Sequence, residues 1–453
     1  MIVPRSRLLF WVGMVGAPFA ALAATVPSAA PLSLSFIGGL VVIALLDAAL
    51  AYGRLDGIDA ALPEVVRLSK GREGAIDVRV SGGGKPCRLR IGLAFPQEFA
   101  SPQDDVTAVL EGGHEWFRIP WPCTPARRGV FALDAVYVEG ASPIGFWAVR
   151  RAVPARCELR VYPDLAGERR TVAALFLNRG GLGIHAQRQV GKGREFEKLR
   201  EYLPGDNYDE IHWKATAKRG RPVTKVYQLE RTQEVYVAID MSRLSARTVA
   251  VPRGAAANGT GQAETTTQLE RFITASLVLG LAAERQGDLF GLISFSDSVD
   301  RFVRARKGKS HYSTCRDAIF GLQPRIVNPD FDELCAFIRL RLRRRALVVV
   351  LTNLDDPVLA EAFTRNIELI RRQHLVLVNM LAPHGVQPLF SDARAASMDD
   401  VYGQLCGHLQ WHDLRELERV LHHLGVTFSL LRNESLAAQL VTQYVNVKQR
   451  QLL

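Results

Sequence analysis

Between Leu8 and Leu46 the sequence carries no charged side chain, and nowhere does it contain a C-x-x-C pair or an internal repeat. The six cysteines (Cys87, Cys123, Cys157, Cys315, Cys335 and Cys406) are widely scattered, which argues against a disulfide framework or a Cys-rich zinc module and fits a reducing compartment. A phosphate-binding loop is also missing: Gly191-Lys192 is followed by Gly193 instead of Ser or Thr, and Ala186 stands where the first glycine belongs. Any ATP dependence must therefore come from a partner. Gly140-Ala141-Ser142-Pro143-Ile144-Gly145 misses the nucleophile elbow by one residue and lacks its strand-to-helix setting, which disfavours a hydrolase.

What is present is a chain of 453 residues, 48% apolar and 23% charged, long enough for about three folding units and too polar for a many-helix transporter. Its mean hydropathy of +0.03 beside a net charge of +11 requires that apolar residues be concentrated locally. They are concentrated at the N-terminus. Residues 8–24 and 32–51 are each close to the roughly 20 residues a helix needs to cross a bilayer, and a short turn-like piece, 26–31, separates them. Arg5 and Arg7 precede the pair, and Arg54, Arg67, Lys70 and Arg72 follow it. The positive-inside rule then predicts a transmembrane hairpin over 1–54 with both ends in the cytoplasm. Two other readings remain: a cleavable signal peptide ending near Ala21-Leu22-Ala23, and a buried core hairpin. Asp47, late in the second span, is expected near the interface.

Residues 55–165 alternate apolar and polar side chains in short runs separated by turn clusters such as Ser81-Gly82-Gly83-Gly84-Lys85-Pro86, which predicts a β-sandwich-like domain. From residue 232 to 453 nearly all-apolar strands (235–239, 289–295, 346–351, 375–381 and 426–431) alternate with helical segments (266–286, 331–344, 357–372, 401–423 and 435–449). That rhythm predicts a doubly wound, Rossmann-like α/β domain with strands buried on both faces. Residues 255–267 read as a flexible insertion, and 166–231 as a connector.

The connector carries Gly193-Arg194-Glu195-Phe196, then Arg200-Glu201-Tyr202-Leu203-Pro204-Gly205-Asp206, then Ile211-His212-Trp213-Lys214-Ala215-Thr216-Ala217. This run resembles the signature of the bacterial and archaeal family called domain of unknown function 58, G-R-E-F, R-E-Y-x-P-G-D and I-x-W-K-x-[ST]-A. Arg128-Gly129, Pro143-Ile144-Gly145 and the tail Tyr444-Val445-Asn446-Val447-Lys448 fit it too. The resemblance implies a protein of the bacterial inner (cytoplasmic) membrane whose large C-terminal portion is cytoplasmic and includes a von Willebrand factor A-like domain. It also implies a MoxR-type AAA+ ATPase as partner, acting with it on an unidentified client protein. Arg200, Glu201, Tyr202, Pro204, Gly205, Asp206, Trp213 and Lys214 are the candidate interaction residues; the alternative is a structural connector. Asp209 and Glu210 stand where the family often has a basic residue, which weakens an anion-binding reading of the turn.

A-type domains often hold Mg²⁺ through D-x-S-x-S and later Thr and Asp residues, and Mg²⁺ demands near-octahedral oxygen. Asp240 and Ser242 match this pattern, but Leu244 takes the third place and Asn353 replaces the later Asp. The site is degenerate, and a metal-independent scaffold is favoured over a Mg²⁺-dependent adhesion-type module. Cys406, His408 and His412 form a weak zinc pattern on one helical face, and Asp355 and Asp356 read as caps for a helix at Pro357. Two basic runs, 301–309 and 339–345, point to membrane lipid or an acidic partner; nucleic acid lacks a supporting motif. The reading is a membrane-anchored, non-enzymatic scaffold. Its rivals are the adhesion module, a basic lipid- or nucleic-acid-binding protein and, last, a hydrolase.

Overall fold

The computed structural model describes residues 1–82, 87–110, 116–168, 173, 190–203, 208–228, 233–251, 264–389, 391 and 397–450. The chain divides into two compact units, Met1–Asp164 and Leu165–Leu453.

The first unit begins with strand β1 (Ile2–Pro4) and the helix α1 (Ser6–Thr25), which contains a π-helical stretch at Val12–Gly16. A 3₁₀ turn, Pro27–Ala29, leads into α2 (Ala30–Ala51). Both helices are long and apolar enough to cross a membrane by length and composition, and nearly all of their apolar surface is turned away from the protein. Phe19 and Phe36 stack between them at 4.8 Å. Strands β2 (Asp59–Ala61), β3 (Val65–Ser69), β4 (Gly74–Ser81), β5 (Cys87–Leu93), β6 (Phe99–Ala100), β7 (Asp105–Leu110), β8 (Trp116–Pro125), β9 (Gly129–Ala141) and β10 (Trp147–Tyr162) follow.

They form two sheets, β1-β10-β9-β5-β7 with β3 added parallel to β10, and β2-β4-β8-β6. Alternation places Ile76, Val78 and Val80 of β4 on one inner face, and Leu89 and Ile91 of β5 with Val136 and Val138 of β9 on the other. All are buried around Trp121, whose indole N–H donates to Ser101 Oγ at 3.1 Å. This is the expected sandwich, with one addition: β1 pairs antiparallel with β10, Ile2 opposite Val149. The Arg5 N–H donates to the Phe146 carbonyl at 2.8 Å, while α2 docks near its C-terminal end on the same loop. Both ends of the apolar helix pair therefore meet the sandwich at one place.

The second unit contains a β-hairpin, β11 (Val190–Glu201) and β12 (Val223–Gln228), with the short helix α3 (Trp213–Arg219) between its strands. The larger part consists of β13 (Glu234–Asp240), β14 (Thr248–Val251), β15 (Glu264–Thr267), α4 (Gln268–Arg285), β16 (Leu289–Phe295), β17 (Val299–Arg306), α5 (Lys309–Ile319), α6 (Phe331–Arg341), β18 (Ala346–Leu351), α7 (Pro357–Arg371), β19 (Leu375–Leu381), α8 (Met398–His423), β20 (Thr427–Leu431) and α9 (Leu436–Gln449). The main sheet runs β17-β16-β13-β18-β19-β20, parallel throughout except β17.

Strand periodicity assigns the two helical layers. Val235, Val237 and Ile239 face a core shared with α4, α5 and α9, whereas Tyr236 and Ala238 face one shared with α6, α7 and α8. The doubly wound arrangement is therefore present. Three features differ from the sequence expectation, the first being helix α5 (Lys309–Ile319), which the apolar pattern does not predict. Residues 301–306, read as part of a basic run, form the antiparallel edge strand β17, whose Ala305 is buried and whose arginines line its exposed side. Within the expected insertion, Glu264–Thr267 pairs with Thr248–Val251 as a hairpin.

Candidate functional site

Two places carry the residues singled out by sequence. The first lies at the carboxyl ends of β13 and β18, where Ile239 is paired with Leu351 so that Asp240 and Thr352 emerge side by side. Asp240 Oδ1 accepts the Ser242 N–H at 2.7 Å, and Oδ2 accepts the Thr352 hydroxyl at 2.6 Å. Ser242 Oγ accepts the Leu244 N–H at 3.3 Å, and the Ser245 hydroxyl donates to the Ser242 carbonyl at 2.8 Å. Asn353 Nδ2 donates to Gln268 Oε1 at 2.5 Å, leaving Asn353 Oδ1 buried without a donor.

Asp240, Ser242, Ser245 and Thr352 are all fully buried. That burial pushes the Asp240 carboxyl above the ordinary carboxylate range, against the opposing pull of hydrogen bonds from Thr352 and Ser242. Both oxygens of this carboxylate are already spoken for by protein donors. No group of three or more His, Cys, Asp or Glu side chains that could hold a metal occurs among the described residues. The donor set does not fit Mg²⁺, which needs close to six oxygens and room for water or a ligand. Asp240 and Ser242 form a closed hydrogen-bond knot.

Around it the charged side chains pair off. Arg247 forms an ion pair with Asp355, Asp356 Oδ1 caps α7 by accepting the Val358 N–H at 3.0 Å, and Arg243 Nε donates to Asn328 Oδ1 at 2.5 Å. Of the zinc pattern on α8, His408 is engaged otherwise, while Cys406 is free and exposed. His408 Nδ1 accepts the Leu389 N–H at 3.1 Å, and its ring stacks on Trp411 at 5.8 Å.

The second place is the signature hairpin. Arg200 and Glu201 end β11, where Arg200 is opposite Thr224 and Glu201 opposite Val223. Pro204, Gly205 and Asp206 lie outside the described residues. Tyr202 donates its N–H to the Pro222 carbonyl at 3.0 Å, and its ring lies 6.1 Å from that of Tyr208. His212 caps α3: its Nδ1 accepts the Ala215 N–H at 3.0 Å. Thr216 Oγ1 then accepts the Val223 N–H at 3.1 Å, tying the helix back to β12, and Gly220 closes it at φ +69°.

The signature's Trp, Thr-Ala and Ile positions thus have separate duties. Ile211 is buried and Thr216 is bonded inward, whereas Trp213 is 67% exposed. Leu203 and Tyr208 are exposed as well, and the same segment carries exposed Lys214, Lys218 and Arg219 and the Arg221–Glu201 ion pair at 2.5 Å. A solvent-facing indole and phenol are each suited to recognition, because such rings contribute large rigid contact area. Sequence reasoning named Trp213 and Lys214 as interaction residues but not Tyr208 or Leu203.

Residues 198–387 match the family described as "Protein of unknown function DUF58", so the resemblance drawn from the signature holds over that segment. No curated protein matches the sequence. Among solved structures the chain is similar to BatB from Bacteroides thetaiotaomicron (13% identity, 48% of this chain and 99% of that one, TM-score 0.28) and to an aerotolerance-related membrane protein from Bacteroides fragilis (12%, 47% and 98%, TM-score 0.25). It is also similar to proximal thread matrix protein 1 of the mussel byssus (10%, 48% and 46%, TM-score 0.26). These are distant likenesses at scores that fix neither fold nor activity.

Proposed function

We propose that this protein is a membrane-anchored, non-enzymatic scaffold whose second unit, including a von Willebrand factor A-like domain over residues 232–453, engages a MoxR-type AAA+ ATPase and a client protein. The observation that carries the reading is the exposure of Trp213, with Leu203 and Tyr208 also exposed, within the segment that matches the family. Anchoring follows from two apolar helices whose ends return to one place on the sandwich, and the Arg5/Arg7 and Arg54/Arg67 flanks favour the cytoplasm of a bacterial inner membrane for both. The closed Asp240 knot speaks for a metal-independent surface over an adhesion module.

The test is capture of a MoxR-type ATPase encoded in the same genome by the detergent-solubilised full chain. Trp213→Ala and Tyr208→Ala are expected to weaken capture at least tenfold with an unchanged melting temperature. Undiminished capture by both variants would return the hairpin to a structural role.

A further inference from the structure

Strand β20 ends the main sheet: it pairs with β19 on one side and with no strand on the other among the described residues. On the β19 side Asn379 stands opposite Ser429, and the Ala382 N–H donates to the Leu431 carbonyl at 2.9 Å. Backbone groups of successive strand residues turn to opposite sides. Phe428 and Leu430 therefore direct their N–H and C=O groups to the open edge.

A cleft of about 360 Å³ runs along that edge, walled by Gln439 and Gln443 of α9 and by Arg415 and Glu418 of α8. Gln439 and Gln443 lie one helical turn apart on one face, and the Oε1 atom of each is buried with no donor. Arg415 and Glu418 are paired with each other at 2.6 Å, so the opposite wall presents little net charge. The cleft thus offers two outward main-chain N–H groups, two carbonyls and two further amide oxygens. An ion would meet no opposite charge there; an extended peptide meets its own hydrogen-bonding pattern.

We propose that the open edge of β20 is a peptide-binding groove that takes an extended segment of a partner protein as an added strand. Its main chain pairs with Phe428 and Leu430, and uncharged side chains bearing N–H or O–H groups supply the donors that Gln439 and Gln443 lack. The five residues of β20 span roughly 17 Å, enough for a segment of about five residues. The proposal rests on the sheet edge alone and stands or falls separately from the signature hairpin.

The test uses the full chain in nanodiscs as bait for a phage-displayed library of random heptapeptides, with empty nanodiscs as counter-selection. Enriched peptides are then synthesised and titrated. Leu430→Pro removes one outward N–H and leaves the β19 ladder intact, a position where an edge strand accepts proline. It is expected to weaken binding at least tenfold, and hydrogen exchange at Phe428 and Leu430 is expected to slow when peptide is added. Should Leu430→Pro fail to fold, the Gln439→Leu/Gln443→Leu double variant carries the same expectation.

Absence of enriched peptides, or binding indifferent to these variants, would overturn the proposal. Slow exchange of the Phe428 and Leu430 amides before any peptide is added would overturn it too, because the edge would already be covered by this chain or a second copy. Peptide binding that survives Trp213→Ala, in a variant that no longer captures the ATPase, would show the two surfaces to be separate.

Discussion

Asp47, the one charged residue of α2, accepts the Ser142 hydroxyl at 2.6 Å across 95 residues of sequence. Its carboxylate also accepts the N–H groups of Ile144 at 2.9 Å and Phe146 at 3.1 Å, and Trp147 Nε1 donates to the Ala44 carbonyl at 2.7 Å. Ser142 Oγ in turn accepts the N–H groups of Gly145 and Trp147. The Pro143-Ile144-Gly145 loop is thereby wrapped around one carboxylate. A charge late in an apolar helix serves here as the joint between that helix and the sandwich.

Asp47→Ala should leave one hydroxyl and two N–H groups without their acceptor in a buried setting. Each unsatisfied group costs about 1–3 kcal/mol, so the variant should lose several degrees of melting temperature and become protease-sensitive around residues 142–147. Asp47→Asn, which retains an acceptor oxygen, should lose less. Thermal unfolding in detergent checks both; an Ala variant as stable as the parent would show the joint to be energetically idle.

At Asp240 the prediction concerns pH. The folded-state pKa is raised above the ordinary value of 3.8, so the stability contribution is fully present below that value and is lost as pH rises through the folded pKa. Asp240→Asn removes this loss. It keeps an oxygen for the Ser242 N–H, and its amide can donate to Thr352 Oγ1. The variant should therefore fold, and its melting temperature relative to the parent should rise between pH 4 and pH 7. Adding millimolar Mg²⁺ should shift neither protein. A Mg²⁺-dependent rise in the parent that Asn abolishes would mean the knot opens to metal.

The buried strands of the larger unit were legible because parallel strands covered on both faces read as apolar runs, Val348-Val349-Val350-Leu351 above all. β17 was not, since three arginines on a half-exposed edge strand outweigh Phe302, Val303 and Ala305 in any reading by composition. β1 was illegible for another reason: three residues ending in proline make a strand only because β10 supplies the partner. Likewise the near-miss of a nucleophile elbow at Ser142 had a local meaning that only Asp47, far away in sequence, reveals. The signature was recognisable as a pattern, yet the division of Ile211 and Thr216 from exposed Trp213 depends on the hairpin that holds α3.

His374, just before β19, is buried, and neither ring nitrogen has a hydrogen-bond partner. Desolvation holds its pKa below 6.5. The unfolded chain binds the extra proton first, so this group's stabilising effect is intact above pH 6.5 and is lost as pH falls through 6.5 towards the folded value. His374→Leu should flatten the stability profile between pH 7 and pH 5. Identical slopes in the two proteins would place the acid sensitivity elsewhere.

The C-terminal helix is fastened by a different device. Asp288, at the entry to β16, receives the Tyr444 hydroxyl and Lys448 Nζ on one oxygen, the latter at 2.7 Å, and the Gln233 N–H on the other at 3.1 Å. Asp288 and Tyr444 are fully buried, and the side chain of Lys448 is 25% exposed. Tyr444→Phe keeps the ring in its core position and leaves Asp288 two donors, so the cost should be about 1–1.5 kcal/mol. Lys448→Met removes the positive charge and strands a buried carboxylate, for which a penalty of about 3–5 kcal/mol is expected. Urea unfolding of the two variants should rank them in that order, with α9 the first element cut by protease in Lys448→Met. Equal losses would mean that the ammonium does no more than the hydroxyl to keep Asp288 compensated and α9 in place.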